Sequence, residues 1–205
     1  MAVAPQLDEV LTVIRGVAAI CNSDIVEVGR DVQFHQSQTN GDCQFVVVEG
    51  RLGKYAASLP LLGEHQVENA ATALATAEIL KDRGHTLTSR SFSQGLRSVR
   101  WPARLQRMHV DGRQLIVDGS HNPESMRRLA EAATTIFDFD RVIIVFGVLG
   151  GHSAEGMLAQ ISHLSPLIVA VRSREPRSKP SEAIEQSARE QNLSVAFRSD
   201  HVGEA

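Results

Sequence analysis

The segment Val117-Asp118-Gly119-Ser120-His121-Asn122-Pro123-Glu124-Ser125 puts a carboxylate, a hydroxyl and an imidazole between an apolar run and a helical pattern. In open α/β sheets, ligands bind at the carboxyl ends of strands, where loops and helix N-termini offer free backbone N–H groups. Asp118 ends the strand-like run, Gly119 permits close backbone approach, and Asn122-Pro123 makes an N-cap and first-turn pair. Asp118 and His121 are therefore expected to project into a crevice. The plainer reading of the same residues is a carboxylate that bonds only loop amides and a histidine on the surface.

Other groups are weaker on their own. The Gly147–Ser153 stretch, GVLGGHS, follows an apolar run as a phosphate loop would, but it fits neither GxGxxG nor GxxxxGK[ST] and has no phosphate-reaching lysine. It reads first as a strand-to-loop turn, with His152 facing the same crevice as His121. Arg104 closes the segment SVRWPAR and could offer a planar guanidinium fork to a phosphate. His65 and Asn69 stand four apart on one helical face, beside Glu68. The eight histidines show neither HExxH nor paired metal spacing, and there is no GxSxG elbow. Metal-dependent and serine-nucleophile hydrolysis therefore find no support.

The elements that must position these groups fall into two stretches. Leu7, Val10, Leu11, Ile14, Val17, Ala18 and Cys21 recur at helical spacing, so the chain opens with an amphipathic helix whose stripe needs a partner surface. From Ile25 to Leu59, short β-branched runs surround Asn40-Gly41, a hairpin-turn signal. The alanine-rich HQVENAATALATAEILKDRG follows as a close-packed helix ending at Gly84, and Thr88 caps a short helix through Phe92 and Leu96. Pro102 makes residues 98–104 an extended linker, which places the domain boundary between 98 and 99. Beyond it, LQRMHV and QLIVD flank an Asp111-Gly112 turn. Helices from Pro123, around Glu155 and from Ser181 then alternate with RVIIVFG, PLIVAV and LSVAF, the pattern of an α/β fold with a mostly parallel sheet. The chain stops soon after that last strand, which reads as a fold cut at its C-terminus.

Composition closes off several classes. With 42% hydrophobic and 22% charged residues over 205, the chain has an ordinary globular balance. Lys and Arg number 21 against 24 Asp and Glu, a net charge of −3, and no basic stripe marks a nucleic-acid partner. No apolar run approaches the ~20 residues of a membrane helix, and the acidic start lacks a signal-peptide n-region, so a cytoplasmic location is expected. Cys21 and Cys43 have no CxxC spacing and read as buried reduced thiols.

Taken together, LLGEHQVENAATALA, SQGLRSVRWPARLQ, VDGSHNPES, the VFG strand end and EPRS resemble the folylpolyglutamate synthase and dihydrofolate synthase family of the Mur ligase superfamily. The match runs over most of the chain, and five motifs in the family's order are specific where each alone is weak. General Mur ligases share the His-Asn loop, whereas the HQVENAA and WPxRLQ pair favours the folate branch over the peptidoglycan branch. The resemblance implies a C-terminal Rossmann-like Mur ligase domain over 99–205, preceded at 1–98 by the α/β remnant of a central ATP-binding domain. It also implies that a P-loop, magnesium ligands and a carbamylated lysine lie before Met1, and that this chain alone does not turn over.

Carried across by motif, Asn69, Arg104 and Asp118 correspond to ATP contacts, with His121 beside the adenine or ribose. The implied reaction uses ATP and Mg2+ to join L-glutamate to a folate or dihydropteroate carboxylate, in an enzyme that is monomeric when complete. Two other readings stand beside it: a non-catalytic nucleotide-binding or interaction module, and a peptidoglycan-type Mur ligase fragment. Three departures mark the chain. Ala103 stands where the family usually has Gly, Ser120 where it often has Ala, and Gly151-His152-Ser153 where an acidic-Lys-acidic segment is usual. The first is costly if that glycine uses a positive φ.

Overall fold

Hydrophobic spacing and turn chemistry build two compact units, Met1–Val117 and Asp118–Ala205, in a computed structural model that describes residues 1–204. In the first, β1 (Ala2–Val3) pairs in parallel with β2 (Val26–Glu27) across helix α1 (Asp8–Ile20). β3 (Gln33–Asn40), β4 (Cys43–Glu49) and β5 (Lys54–Leu59) form an antiparallel sheet. The Asn40-Gly41 signal is the β3–β4 turn, with Gly41 at φ +61°. Helix α2 (Glu64–Asp82) lies on β3, β4 and β1, and α3 (Ser89–Arg97) lies on β5. Alternation along β4 turns Val46 and Val48 inward, where they join Leu59, Val67, Ala71, Leu74 and Ala75 in one core. Alanines along α2 let it approach the sheet closely. Thr88 caps α3 by accepting from the Ser91 amide at 3.0 Å, and Gly84, at φ +91°, follows the end of α2.

Two buried polar side chains secure this unit. Glu78 of α2, fully buried, accepts from the Arg51 amide at 2.8 Å and the Leu52 amide at 3.0 Å in the β4–β5 turn. A Cβ at Gly50 would overlap that carboxyl, so the turn requires glycine there. Burial, and then Glu78, raise the Tyr55 phenol above its ordinary pKa. Gln44 of β4 donates to the Leu61 and Gly63 carbonyls at 2.6 and 2.9 Å, fixing the segment that leads into α2.

The hairpin β6 (Gln106–Val110) and β7 (Arg113–Val117) turns at Asp111-Gly112, both in the left-handed region. Arg107 of β6 reaches Asp42 of the β3–β4 turn at 2.7 Å, and the hairpin belongs to the first compact unit. That compact unit therefore runs past the junction at 98/99 read from the sequence.

The second unit has the predicted alternation: α4 (Pro123–Ile136), β8 (Ile143–Phe146), α5 (Ala154–Ile161), β9 (Leu167–Val171), α6 (Ser181–Glu190) and β10 (Ser194–Ser199). Its three strands are parallel, in the order β10-β9-β8. Its core joins Met126, Ala130, Phe146, Met157, Leu158, Ile168 and Ile184. On α4 the Arg127 and Arg128 guanidiniums hold the Glu124 carboxyl at about 2, below its ordinary 4.5. Its contribution to the helix is then complete above pH 4.5 and is lost as the pH falls through about 2. The group is exposed, so Glu124→Gln should cost only about 0.3–0.5 kcal/mol at neutral pH. It should also flatten the acid limb of a thermal-midpoint against pH curve; a limb of unchanged steepness would show that the pairs contribute nothing.

One expectation stays open and one needs correction. The stripe of α1, which needs a partner surface, is largely uncovered among the described residues: only Ala18 is buried, while Leu7, Val10 and Val17 are 76%, 40% and 55% exposed. Cys21, at the end of the same helix, is exposed rather than buried, and Cys43 is half-buried; both thiols are free. The reason is common to both, since little of this chain covers the outer side of α1. Among the described residues no helix is long and apolar enough to cross a membrane.

Candidate nucleotide site

At the start of the second unit, the loop after β7 is held by its own side chains. Asp118 Oδ1 accepts from the Ser120 amide at 2.8 Å and from the Ser120 hydroxyl, which also lies 3.1 Å from the Ser125 carbonyl. Ser120, one of the three departures, thus ties the carboxylate to the first turn of α4. Asn122 caps that helix as expected: its Oδ1 accepts from the Ser125 amide at 2.8 Å, and Ser125 Oγ accepts from the Asn122 amide at 3.1 Å, with Pro123 at the first turn.

His121 is exposed, its Nδ1 3.0 Å from the Gly119 carbonyl. Its ring meets that of His152 edge to face, with centroids 5.6 Å apart. The two histidines thus meet from separate loops, one after the antiparallel strand β7 and one after β8 of the parallel sheet. The GVLGG turn is held by backbone. Gly150 donates to the Arg177 carbonyl at 2.6 Å, Lys179 to that of Val148 at 2.9 Å, and Leu149 bridges Ser178. A Cβ at Gly147 would stand 3.0 Å from the Val171 carbonyl, and one at Gly150 3.0 Å from that of Arg177. These glycines serve close approach, as the strand-to-loop reading has it. Ser153 caps α5 through the Gly156 amide at 3.0 Å. Beside it, the Glu155 carboxyl is held below its usual range, first by a backbone N–H at the helix start and then by the Ser153 and Ser187 hydroxyls.

The other two expected contacts lie in the first unit. Arg104 is half-buried, its guanidinium 5.5 Å from the ring centre of Trp101, which is 61% exposed. They line a recess of about 230 Å³ shared with Asp42, Arg100 and Arg107. Arg107 is paired with Asp42, which leaves an exposed aromatic ring beside the Arg104 and Arg100 guanidiniums, a setting that suits an anion that carries a ring. Ala103 and Leu105, on either side of Arg104, sit at φ +56° and +47°. Asn69 does not line that recess; it is exposed on α2, with Nδ2 donating to Gln66 at 3.2 Å rather than pairing with His65.

Left-handed backbone at Ala103 costs about 1–2 kcal/mol, and glycine returns about 0.5–1 kcal/mol of that as added chain entropy. Ala103→Gly should therefore stabilise the first unit by about 0.5–1 kcal/mol, read as a raised thermal midpoint. A lowered midpoint would mean that no strain resides there.

Sequence reasoning passed over Trp101, quoted only within its motif; the signal was a tryptophan and two arginines gathered around one proline. Among the described residues no three His, Cys, Asp or Glu side chains are grouped to hold a metal.

Comparison with known proteins gives the family. The family described as "Mur ligase, glutamate ligase domain" matches residues 103–205. The dihydrofolate synthase/folylpolyglutamate synthase of Mycobacterium tuberculosis is 33% identical over 150 residues, 72% of this chain and 31% of its own. A probable bifunctional folylpolyglutamate synthase/dihydropteroate synthase of Halobacterium salinarum is 32% identical over 155 residues, 75% of this chain and 18% of its own. Among solved structures, the M. tuberculosis folylpolyglutamate synthase complexed with ADP and AMPPCP superposes with a TM-score of 0.88 at 27% identity, covering 96% of this chain and 45% of that one. The chain thus spans under a third of these curated relatives and under half of the solved one. By its glutamate ligase domain the chain belongs to the Mur ligase family, and at 32–33% identity it is similar to folylpolyglutamate synthases within that family.

Proposed function

We propose that this chain forms the nucleotide-closing part of an ATP-dependent ligase that joins L-glutamate to a folate or dihydropteroate carboxylate in the cytoplasm, with 1–98 and 99–205 as its two functional parts. The observation that carries the reading is Arg104, presented over the exposed ring of Trp101 at 5.5 Å in a recess with two further arginines. In the implied chemistry the acceptor carboxylate oxygen attacks the γ-phosphorus of ATP, and ADP leaves. The glutamate amine then attacks the acyl phosphate, loses a proton and expels phosphate as the amide forms. Catalysis of this kind rests on positioning and on neutralising phosphoryl charge. Arg104 would supply the charge, Asp118 would accept from ribose hydroxyls, and His121, braced by His152, would stand beside the sugar or base. Asn69 would read a polar edge of the nucleotide. Mg2+ would be held by the portion of the ligase that precedes this region and would neutralise phosphate charge there.

The test is a chimera in which the portion preceding the matched region in the M. tuberculosis relative is joined to this chain. The expected result is ATP-dependent transfer of labelled glutamate to a pteroate or folate acceptor. A folded chimera that binds ADP but glutamylates neither acceptor would refute the ligase reading and leave the nucleotide-binding module. Transfer to a peptidoglycan precursor in place of folate would refute the branch.

A further inference from the structure

The recess beside Trp101 carries an anion of its own. Among the described residues that line it, Asp42 is the one acid, set against the guanidiniums of Arg100, Arg104 and Arg107. Asp42 Oδ1 accepts from Arg107 Nε at 2.7 Å. The two partners differ in burial: the Arg107 side chain is 22% exposed and that of Asp42 69%. A guanidinium so far withdrawn from water requires an anion beside it, because an uncompensated buried charge is costly. An exposed carboxylate is hydrated when it lets go, and ion pairs with such a partner contribute little to folding.

Both partners are positioned without the pair. Asp42 stands in the two-residue Gly41-Asp42 turn between Asn40 and Cys43, which face each other at the end of the β3–β4 ladder. Gly41 has φ +61°, the positive value that the first central position of a type II′ turn needs. Arg107 lies 65 residues on in the chain and is held by β6, where it pairs with Ile116 of β7. Its Nη2 lies over the same turn, 3.9 Å from where a Cβ on Gly41 would stand. The ion pair can therefore open while turn and hairpin keep their places. A phosphate group offers more charge and more acceptor oxygens than a carboxylate, and a guanidinium fork takes either. Asp42 and an incoming phosphate thus compete for one cation.

We infer that Asp42 is a built-in competitor for the phosphate end of the nucleotide: it holds Arg107 until a phosphate group enters the recess and then yields it. Arg107 is on this account a further phosphate-binding residue, and Asp42 sets the affinity of the recess below what its guanidiniums alone would give. The inference rests on the nucleotide reading of this recess. Restrained affinity serves turnover, because product release limits many enzymes and ADP must leave after each amide is formed.

Trp101 is the single tryptophan of the chain, so its fluorescence reports on this recess. ADP, inorganic pyrophosphate and adenosine are titrated into the 205-residue chain and into its Asp42→Asn, Arg107→Gln and doubly substituted variants. Asp42→Asn should tighten ADP and pyrophosphate about fivefold, the scale of one exposed ion pair, and leave adenosine, which has no phosphate, as it was. Arg107→Gln should weaken both phosphate ligands about threefold or more. In the double variant most of the gain from Asp42→Asn should be lost, because the cation that Asp42 held is gone. The thermal midpoint of Asp42→Asn should stay near that of the parent, whereas a pair that served only the fold would lower the midpoint and tighten nothing. Phosphate affinity left unchanged or lowered by Asp42→Asn, a gain that survives Arg107→Gln in full, or an equal gain for adenosine would each overturn the proposal. So would a Trp101 signal that ADP and pyrophosphate leave untouched in every folded form. Binding is read without ligation: the expected affinities in a chain whose chimera glutamylates neither acceptor would sink the ligase reading and leave the competitor standing. An active chimera whose ADP affinity ignores Asp42→Asn would do the opposite.

Discussion

Glu78→Gln should lower the stability of the first unit by about 2–3 kcal/mol, since hydrogen bonds to charged groups contribute about 1.5–3 kcal/mol and a buried group left unpaired costs about as much. Both carboxyl oxygens are committed: Oε2 accepts from the Arg51 amide and Oε1 from that of Leu52. An amide in place of the carboxyl turns one of those acceptors into an NH2 facing an N–H, inside a fully buried pocket. The turn cannot slide away to relieve this, because Gly50 already lies against the carboxyl. Hydrogen exchange at Arg51 and Leu52 should accelerate together with the fall in urea midpoint. An unchanged midpoint would mean that water replaces the lost acceptor and that the turn does not depend on α2.

The second large effect is on activity. In the assembled ligase, Arg104→Ala should lower kcat/KM for glutamate ligation at least tenfold, about 1.4 kcal/mol of transition-state stabilisation. Arg104→Lys should recover little of it, because an ammonium provides neither the planar fork nor the stacking on Trp101. If kcat falls with KM unchanged, the guanidinium acts on charge that develops during phosphoryl transfer; if KM for ATP rises alone, it only holds the nucleotide. A kcat/KM within twofold of the parent would remove Arg104 from the site.

Most elements were legible because their signals are local. The Asn40-Gly41 and Asp111-Gly112 turns, the Thr88 and Asn122 caps and the Gly84 stop each depend on residues within one turn of one another. The 3.6 and 2.0 periodicities supplied the rest. What escaped depends on contacts distant in sequence. Nothing near Glu78 announces that it bonds a turn between strands, and nothing near Gln44 announces that it fixes the approach to α2. Asn69 was grouped with His65 by spacing, yet its amide meets Gln66, a buried side chain three residues before it on the same helix. The α1 stripe shows that the helix needs a partner surface, because periodicity reports that a helix has an apolar side. It does not report whether the covering body belongs to the same stretch of chain. His152 was expected to face the same crevice as His121, but the His121 loop follows an antiparallel hairpin strand and not a strand of the parallel sheet, so no strand-order rule accounts for their meeting.

The loop that carries His152 is fastened through main-chain atoms: the Gly150 amide on the Arg177 carbonyl, the Lys179 amide on that of Val148, and the Leu149–Ser178 bridge. Such fastening is indifferent to which side chains ride on it. The tip at His152 is therefore a place where charge can be exchanged without moving the frame, whereas Gly151, at φ +94°, holds a conformation that an acidic side chain would strain. For evolution, or for an engineer, that makes this turn a dial for the electrostatics beside Asp118, to be set independently of the fold.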